Sequence, residues 1–181
     1  TAMALRLLGR AGLRDHNSFK NAETWLRSMQ EPDGQFRYHV GGNVDRDATT
    51  CILFAMRDLF GEHDPVFLRG RPQFEEYLSA IARDARRGHR YFDGERKDND
   101  VYHLTFLLSE ATARAGYDLQ DSRVRTIVRA IFETQRPDGG WRFWAQKSDP
   151  RRSAHALRCL VWVGALPSQE LARMLRAHGV V

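Results

Sequence analysis

The stretch that decides the fold occurs twice in the chain, as QEPDGQFRY at residues 30–38 and as QRPDGGWRF at residues 135–143. Both copies contain a glutamine, a Pro-Asp-Gly triplet and an arginine with one aromatic residue on each side. A shorter version, GHRYF at residues 88–92, keeps only the aromatic end. Arg37, Arg90 and Arg142 are therefore 53 and 52 residues apart, and such near-equal spacing is typical of a repeat protein.

Each loop is flanked by two segments with the apolar spacing of an α-helix. Pro-Asp-Gly favours a tight turn, because proline fixes φ, aspartate bonds nearby amides and glycine accepts positive φ. The segments before the loops are amphipathic and are expected outside, whereas those after the loops are apolar on several sides and are expected inside. The predicted outer helices are 19–29, 74–83 and 124–133, and the inner ones are 48–59, 101–113 and 153–163.

The sequence thus predicts an all-α fold with about eight helices and no strand. We expect one domain over residues 1–181, with α/α hairpins at 18–64, 71–117 and 121–166 and an additional helix at each end. Pro65 and Pro72 are predicted to break the chain between the first two hairpins. Asp121 or Ser122 is predicted to cap the helix that opens the third. Because single hairpins cannot bury their inner faces, the three are expected to stack into a partial α/α toroid.

The composition indicates a globular protein, with 42% apolar and 28% charged residues. Apolar runs are too short to cross a bilayer and the first residues lack a signal-peptide pattern, so we expect a cytoplasmic protein with no transmembrane segment. Cys51 and Cys159 fall in helical patterns and are predicted to be buried thiols of a reducing compartment. The usual phosphate-loop, hydrolase, zinc-protease and nucleic-acid-binding motifs are missing from the sequence, so we expect no nucleic acid and no cofactor.

The net charge is +5, and the arginines are spread over all the predicted helices. The densest group alternates basic and acidic residues: Arg83, Asp84, Arg86, Arg87, Arg90 and Glu95. One interpretation is a solvated, salt-bridged helix face, and the other is a site for pyrophosphate or another anion.

The Gln-x-Pro-Asp-Gly-Gly-Trp pattern at residues 135–141 resembles the Gln–Trp repeat of squalene–hopene and oxidosqualene cyclases. Similar loops occur in protein prenyltransferase β subunits. The resemblance extends through all three repeats, and it implies an α/α toroid more strongly than it implies a particular chemistry. Toroids of this superfamily usually have more than three hairpins. A complete pocket would therefore need a homodimer, a partner subunit or a further part of a longer chain.

The sequence DRDATT at residues 45–50 resembles the Asp-x-Asp-Asp-Thr-Ala motif of triterpene and class II diterpene cyclases. By position Asp47 matches the central aspartate, which protonates an alkene or epoxide, and Asp45 matches the first. Ala48 replaces the third aspartate. Protonation requires a neutral carboxyl in a dry pocket, which desolvation and a neighbouring carboxylate favour. The alternative role for Asp47 is to cap the inner helix.

A second acidic stretch, DNDVYH at residues 98–103, lies at the equivalent place of the second repeat. Zinc bound by Asp100, His103 and His155 is a weak alternative there, and we expect no metal. Aromatic walls on the inner helices would shelter a carbocation. The predicted substrate-binding residues are Phe54, Asp100, Tyr102, His103, Phe106, Arg142 and Trp162.

Three functions follow as expectations. The first is a terpene cyclase-like protein that acts on or binds an isoprenoid or another hydrophobic small molecule, and it leaves open whether the chain is an enzyme. The second is a non-catalytic helical-repeat module that binds a partner on its concave face. The third is a carbohydrate lyase-like toroid, in which Tyr102, His103 and Arg142 transfer a proton.

Overall fold

A computed structural model of the chain describes residues 1–86, 104–105, 107–141, 148–166 and 169. All the regular elements in these ranges are helices, which confirms the all-α prediction, and Arg37–Val44 is an isolated bridge of β type. Seven helices have both ends within the described residues, namely α1 (Ala2–Arg10), α2 (Asn17–Ser28), α3 (Arg46–Phe60), α4 (Pro65–Arg86), α5 (Glu110–Arg114), α6 (Ser122–Glu133) and α7 (Pro150–Trp162).

The chain divides into two compact units, Thr1–Tyr77 and Leu78–Val181, and the division falls within α4. In the described residues, no helix is long and apolar enough to cross a membrane. The predicted final helix at residues 167–174 lies outside the described residues, apart from position 169.

In the first unit, α1 packs against α2 and α3. The core includes Leu5 of α1, Phe19 of α2 and Leu53 of α3, and a salt bridge of 2.6 Å joins Arg6 to Asp58. Seven residues of α3 are buried but only two of α2. This contrast agrees with the prediction that the helix before the loop, α2, is an outer helix and the helix after it, α3, is an inner one.

The second unit lacks that contrast. Its outer helix α6 buries five residues, whereas α7 buries four, and α5 packs against α7. Asp121, not Ser122, is the cap of α6, and its side chain accepts a hydrogen bond from the Arg123 amide.

Of the two predicted breaks between the first hairpins, the one at Pro65 is present, after the end of α3 at Phe60, and the one at Pro72 was wrong. Pro65 opens α4, and Pro72 lies inside this helix without ending it. An internal proline removes one helical hydrogen bond and costs about 3 kcal/mol. The helix continues because residues on both sides of Pro72 are buried on one face, namely Val66, Phe67, Phe74 and Leu78.

The predicted inner helix 101–113 is not continuous. Residues 104–105 are helical, but the chain turns at Leu107 and α5 begins only at Glu110. The side chains and amides of Ser109 and Thr112 form a reciprocal capping box, with Ser109 N–H donating to Thr112 Oγ1 at 2.7 Å. This local capping starts a new helix and outweighs the apolar periodicity.

The two cysteines have different environments. Cys159 is buried, its thiol donates to the carbonyl of Thr105 at 3.4 Å, and burial raises its pKa to about 12. Cys51 is exposed, so the prediction of a buried thiol was wrong for this residue. In the first half of α3 only the side that carries Thr49, Thr50 and Leu53 is buried, and Cys51 lies off that side.

Candidate functional site

The loops that follow α2 and α6 are closed by matching hydrogen bonds. The Glu31 amide donates to the carbonyl of Gln35 at 2.9 Å, and the matching Arg136 amide donates to the carbonyl of Gly140, also at 2.9 Å. We call residues 30–49 the first loop and residues 135–153 the third loop. Each runs from its glutamine to the first turn of the following helix.

The glutamines at the start of the two loops hold these turns closed. Gln30 Nε2 donates to the carbonyl of Gly34 at 3.0 Å, and Gln135 Nε2 donates to that of Gly139 at 2.7 Å. Both glycines have positive φ, +89° and +81°. Gln30 Nε2 also donates to the carbonyl of Val66, at the start of α4, at 2.8 Å. The first turn is thus tied to the first helix of the next hairpin.

A hydroxyl group joins each loop to the helix behind it. Thr49 Oγ1 accepts a hydrogen bond from the amide of Phe36, and Ser153 Oγ accepts one from the amide of Trp141, each at 2.9 Å. The aromatic side chains of Phe36 and Trp141 are both 1% exposed. These two aromatic residues are thus part of the core.

An aspartate caps the helix in both loops. Asp45 Oδ1 accepts from the Ala48 amide at 2.7 Å, and Asp149 Oδ1 accepts from the Arg152 amide at 2.9 Å. The amides of these two aspartates donate to the carbonyls of the buried aromatics at 2.8 and 2.7 Å. The cap of α3 is therefore Asp45, whereas the alternative role considered from the sequence had placed Asp47 there.

The aspartate of the Pro-Asp-Gly triplet also has a structural role. Asp33 Oδ1 accepts from the Gln35 amide at 3.0 Å, and Asp138 Oδ1 accepts from the Gly140 amide at 3.1 Å. The Ser148 hydroxyl donates to Asp138 at 2.6 Å and is the main cause of a lowered pKa for this carboxyl. Two aspartates per loop thus hold the backbone.

The two loops differ in their other charges. Glu31, which pairs with Arg37 at 2.6 Å, corresponds to Arg136. Asp47 corresponds to Arg151, and Ala48 corresponds to Arg152. The carboxylates that hold the backbone are the same in both loops, whereas the other two acids of the first loop are replaced by arginine. Asp47 takes no part in the hydrogen bonds that the loops share.

Asp47 lies in the first turn of α3 and is half-buried. Beside it in sequence, the Arg46 guanidinium lies 4.6 Å from the ring centre of Tyr77 on α4. The Tyr77 hydroxyl donates to Gln35 Oε1, and Gln35 Nε2 donates to Asp33 at 2.7 Å. Burial raises the pKa of Tyr77. The sequence analysis missed this polar chain, because Gln35 and Tyr77 are 42 residues apart.

The predicted aromatic wall is only partly described. Phe54 is 2% exposed, and its ring packs edge-on to Phe67 at 5.6 Å and Phe74 at 4.7 Å, in the core between α3 and α4. Trp162 in the second unit is half-buried, with the Arg158 guanidinium 5.0 Å from its ring centre. The other predicted binding residues lie outside the described residues: Asp100, Tyr102, His103, Phe106 and Arg142.

His155 of the weak zinc alternative is half-buried, and its Nε2 is 3.8 Å from Cys159 Sγ. Burial, followed by the charges of Arg158 and Arg152, lowers the pKa of His155 and favours a neutral imidazole. In the part of the chain that the structure describes, no group of three or more His, Cys, Asp or Glu side chains could hold a metal ion.

The arginine cluster near residue 85 is also only partly described. Arg83 and Arg86 are exposed at the end of α4, and Arg87 and Arg90 lie outside the described residues. Neither interpretation of this cluster is therefore tested.

Comparison of the sequence with models of known families gives no match, and comparison with curated proteins gives none either. The cyclase resemblance therefore stays an expectation from the two loop motifs.

Proposed function

We propose that the chain is a terpene cyclase-like protein that binds a linear isoprenoid, with Asp47 as the acid that protonates it. The observation that carries this proposal is the difference between the two loops. Asp45 and Asp149 cap their helices in the same way, whereas Asp47 is replaced by Arg151 and is outside the shared hydrogen bonds. The place of Asp47 in the acidic motif and its replacement by arginine in the third loop make it the better candidate for chemistry.

At its position in the first turn of α3, Asp47 would hold a proton only while a ligand is bound. The positive end of the α3 dipole favours a charged carboxylate in the first turn. An apolar ligand that excluded water from the half-buried carboxyl would disfavour the charge, and the Asp45 carboxylate two residues away would act in the same direction. Asp47 would thus become an acid only when the substrate is bound, and Asp45 is a positioning residue.

We further propose that the hairpins stack into an arc of an α/α toroid that a second copy or a partner subunit completes. The bond from Gln30 to Val66 supports stacking of the first hairpin on the next. Gly34 supports it as well, since a Cβ atom there would lie 2.7 Å from the Cα atom of Gly70 on α4. Backbones in such close contact suit hairpins that share one core.

The test is conversion of squalene and linear isoprenoid diphosphates by the wild-type chain and by Asp47→Asn, with products separated by gas chromatography. We expect Asp47→Asn to reduce turnover roughly a hundredfold or more, because it removes the proton donor. The matched control is Asp15→Asn, the same charge change at an exposed residue between α1 and α2. Equal turnover in Asp47→Asn and the wild type would disprove the assignment of the acid.

A helical-repeat binding module is the second candidate, and exposed apolar residues of the first loop favour it. Residues 37–44 form a short hairpin braced by Arg37, whose Nη1 donates to the carbonyl of Gly42 at 2.5 Å. Tyr38 is 77% and Val40 is 69% exposed on this hairpin. If the chain is a binding module, Tyr38→Ser should weaken isoprenoid binding and Asp47→Asn should leave this binding unchanged. In that case the wild-type chain and both variants would show no turnover.

A further inference from the structure

We infer that His16 makes the first turn of α2 sensitive to pH, because a neutral imidazole caps this helix and a protonated one cannot. The device is separate from the proposed acid at Asp47 and does not depend on it. It rests on the hydrogen bonds of His16 and on the packing of Phe19, all within the first unit.

His16 directly precedes α2 and has the geometry of a helix cap. Its backbone is extended, with φ −69° and ψ 140°. The Ser18 amide donates to His16 Nδ1 at 3.1 Å. The amides of Phe19 and Lys20 donate to the His16 carbonyl at 3.0 and 3.2 Å. The imidazole thus supplies an acceptor for a first-turn amide that has none within the helix.

This cap differs in chemistry from the side-chain caps of α3, α5, α6 and α7. Aspartates cap α3, α6 and α7, and a serine caps α5. A carboxylate stays ionised down to about pH 4, and a hydroxyl accepts hydrogen bonds at any pH. An imidazole gains its proton between about pH 8 and pH 5. Of these caps, only that of α2 should therefore change its state near neutral pH.

Protonation of the imidazole acts on the turn in two ways that have the same sign. A protonated Nδ1 carries a hydrogen and cannot accept the bond from the Ser18 amide. The new positive charge also lies at the positive end of the α2 dipole. The cap therefore stabilises the first turn at high pH, and this stabilisation is lost as the pH falls.

The charged groups around His16 belong to its own segment and to the two helices that contact α2. Its charged neighbours in the chain, all exposed, are Arg14, Asp15 and Lys20. The charged residues of α1 and of the last two turns of α3 are Arg6, Arg10, Arg57 and Asp58. In the described part of the chain, the imidazole makes no ion pair or hydrogen bond with any of these side chains. The Ser18 amide is thus the partner whose bond depends on the protonation of His16.

The first turn of α2 holds Phe19 in the core of the first unit. Phe19 is 2% exposed, and its ring centre lies 6.1 Å from that of Phe60 at the end of α3. A Cβ atom on Gly9 of α1 would lie 3.3 Å from Phe19 Cε2, so the ring is also close to α1. Because the Phe19 amide is bonded to the His16 carbonyl, opening of the turn releases the backbone that carries this ring. Loss of the cap therefore loosens the packing of α2 on α1 and α3.

The test is amide hydrogen exchange of the full chain, followed by NMR at about pH 8 and about pH 5. Protection factors, which divide out the intrinsic pH dependence of exchange, are compared for Ser18, Phe19 and Lys20. We expect wild-type protection to fall about fivefold between the two pH values, the size expected for the loss of one cap. His16→Asn should keep its protection at both values, because asparagine caps a helix and does not titrate.

The matched control is His63→Asn, which removes an exposed histidine beside Glu62 and should leave the pH response of the first turn intact. His16→Ala should show low protection at both pH values, because alanine is a poor cap. Nitrogen NMR of the wild-type imidazole adds a direct measurement, since the cap requires the neutral tautomer that carries its hydrogen on Nε2.

Three results would overturn the inference. They are equal protection of the wild-type turn at both pH values, the same pH response in His16→Asn as in the wild type, and a neutral His16 with its hydrogen on Nδ1. Loss of the response in His63→Asn would overturn it too, because the effect would then belong to His63. The turnover assay of Asp47→Asn has no bearing on these outcomes, so the two proposals fail separately.

Discussion

The first loop and the third loop share their hydrogen bonds and differ in their charge. In each, a glutamine and a glycine close a turn, a hydroxyl joins the loop to its helix, and an aspartate caps that helix. Glu31 and Asp47 of the first loop are arginines in the third. The comparison therefore separates the positions that build both loops from the positions at which the charges of the two loops differ.

The largest expected difference between the loops concerns their positive-φ glycines. In Gly34→Ala the new methyl would overlap the carbonyl of Arg69 on α4, whereas no described atom lies within 4 Å of a methyl at Gly139. We expect Gly34→Ala to lower the free energy of unfolding by about 3 kcal/mol or more, through steric overlap added to backbone strain. Gly139→Ala should lower the free energy of unfolding only by the cost of the backbone strain, about 1–2 kcal/mol. Urea unfolding measures both, and equal losses would contradict the close packing of the first turn.

Removal of the hydroxyl that joins each loop to its helix should lower the free energy of unfolding by a smaller amount, which is similar in both loops. Thr49→Val and Ser153→Ala each leave a buried or half-buried amide without its acceptor, at a cost of about 1–2 kcal/mol. Hydrogen exchange at the amides of Phe36 and Trp141 should accelerate in the corresponding variant. Thr126→Val on the exposed face of α6 is the control, with about 0.5 kcal/mol or less expected. A loss confined to one loop would show that the loops are not equivalent.

The smallest expected effect is a pH dependence in the third loop. The bond from Ser148 lowers the pKa of Asp138. A carboxyl with a lowered folded-state pKa stabilises the fold above its unfolded-state pKa, and this stabilisation is lost as the pH falls through the folded-state pKa. Ser148→Ala should raise the Asp138 pKa towards its ordinary value, as followed by carbon NMR of the carboxyl. Ser122→Ala is the control, and an identical titration in both variants would argue against the assigned cause.

Prediction from the sequence worked best where a structural signal lies within a few residues. The Pro-Asp-Gly turns, the cap of α6 at Asp121 and most of the helices were predicted from such signals. The break before α5 also had a local signal, Ser109 and Thr112, but the apolar run around it concealed the capping box. The exposure of Cys51 had no local signal, because it depends on which side of α3 the neighbouring helices cover.

The candidate site was predicted less completely. The motif comparison identified Asp45 and Asp47 as a pair and considered a helix cap only at Asp47. The structure assigns the cap to Asp45, through its bond with the Ala48 amide, and shows the same cap at Asp149. The polar chain through Gln35 and Tyr77 had no sequence signal, since it joins a loop to a helix far along the chain.

The sequence by itself determined the helical class and the two matched turns, because turns and caps form between residues that are neighbours in the chain. The tertiary structure decided the rest. Packing carried α4 through Pro72 and brought Gly34 against the backbone of α4. These outcomes depend on burial, and burial is set by which distant residues come together when the chain folds.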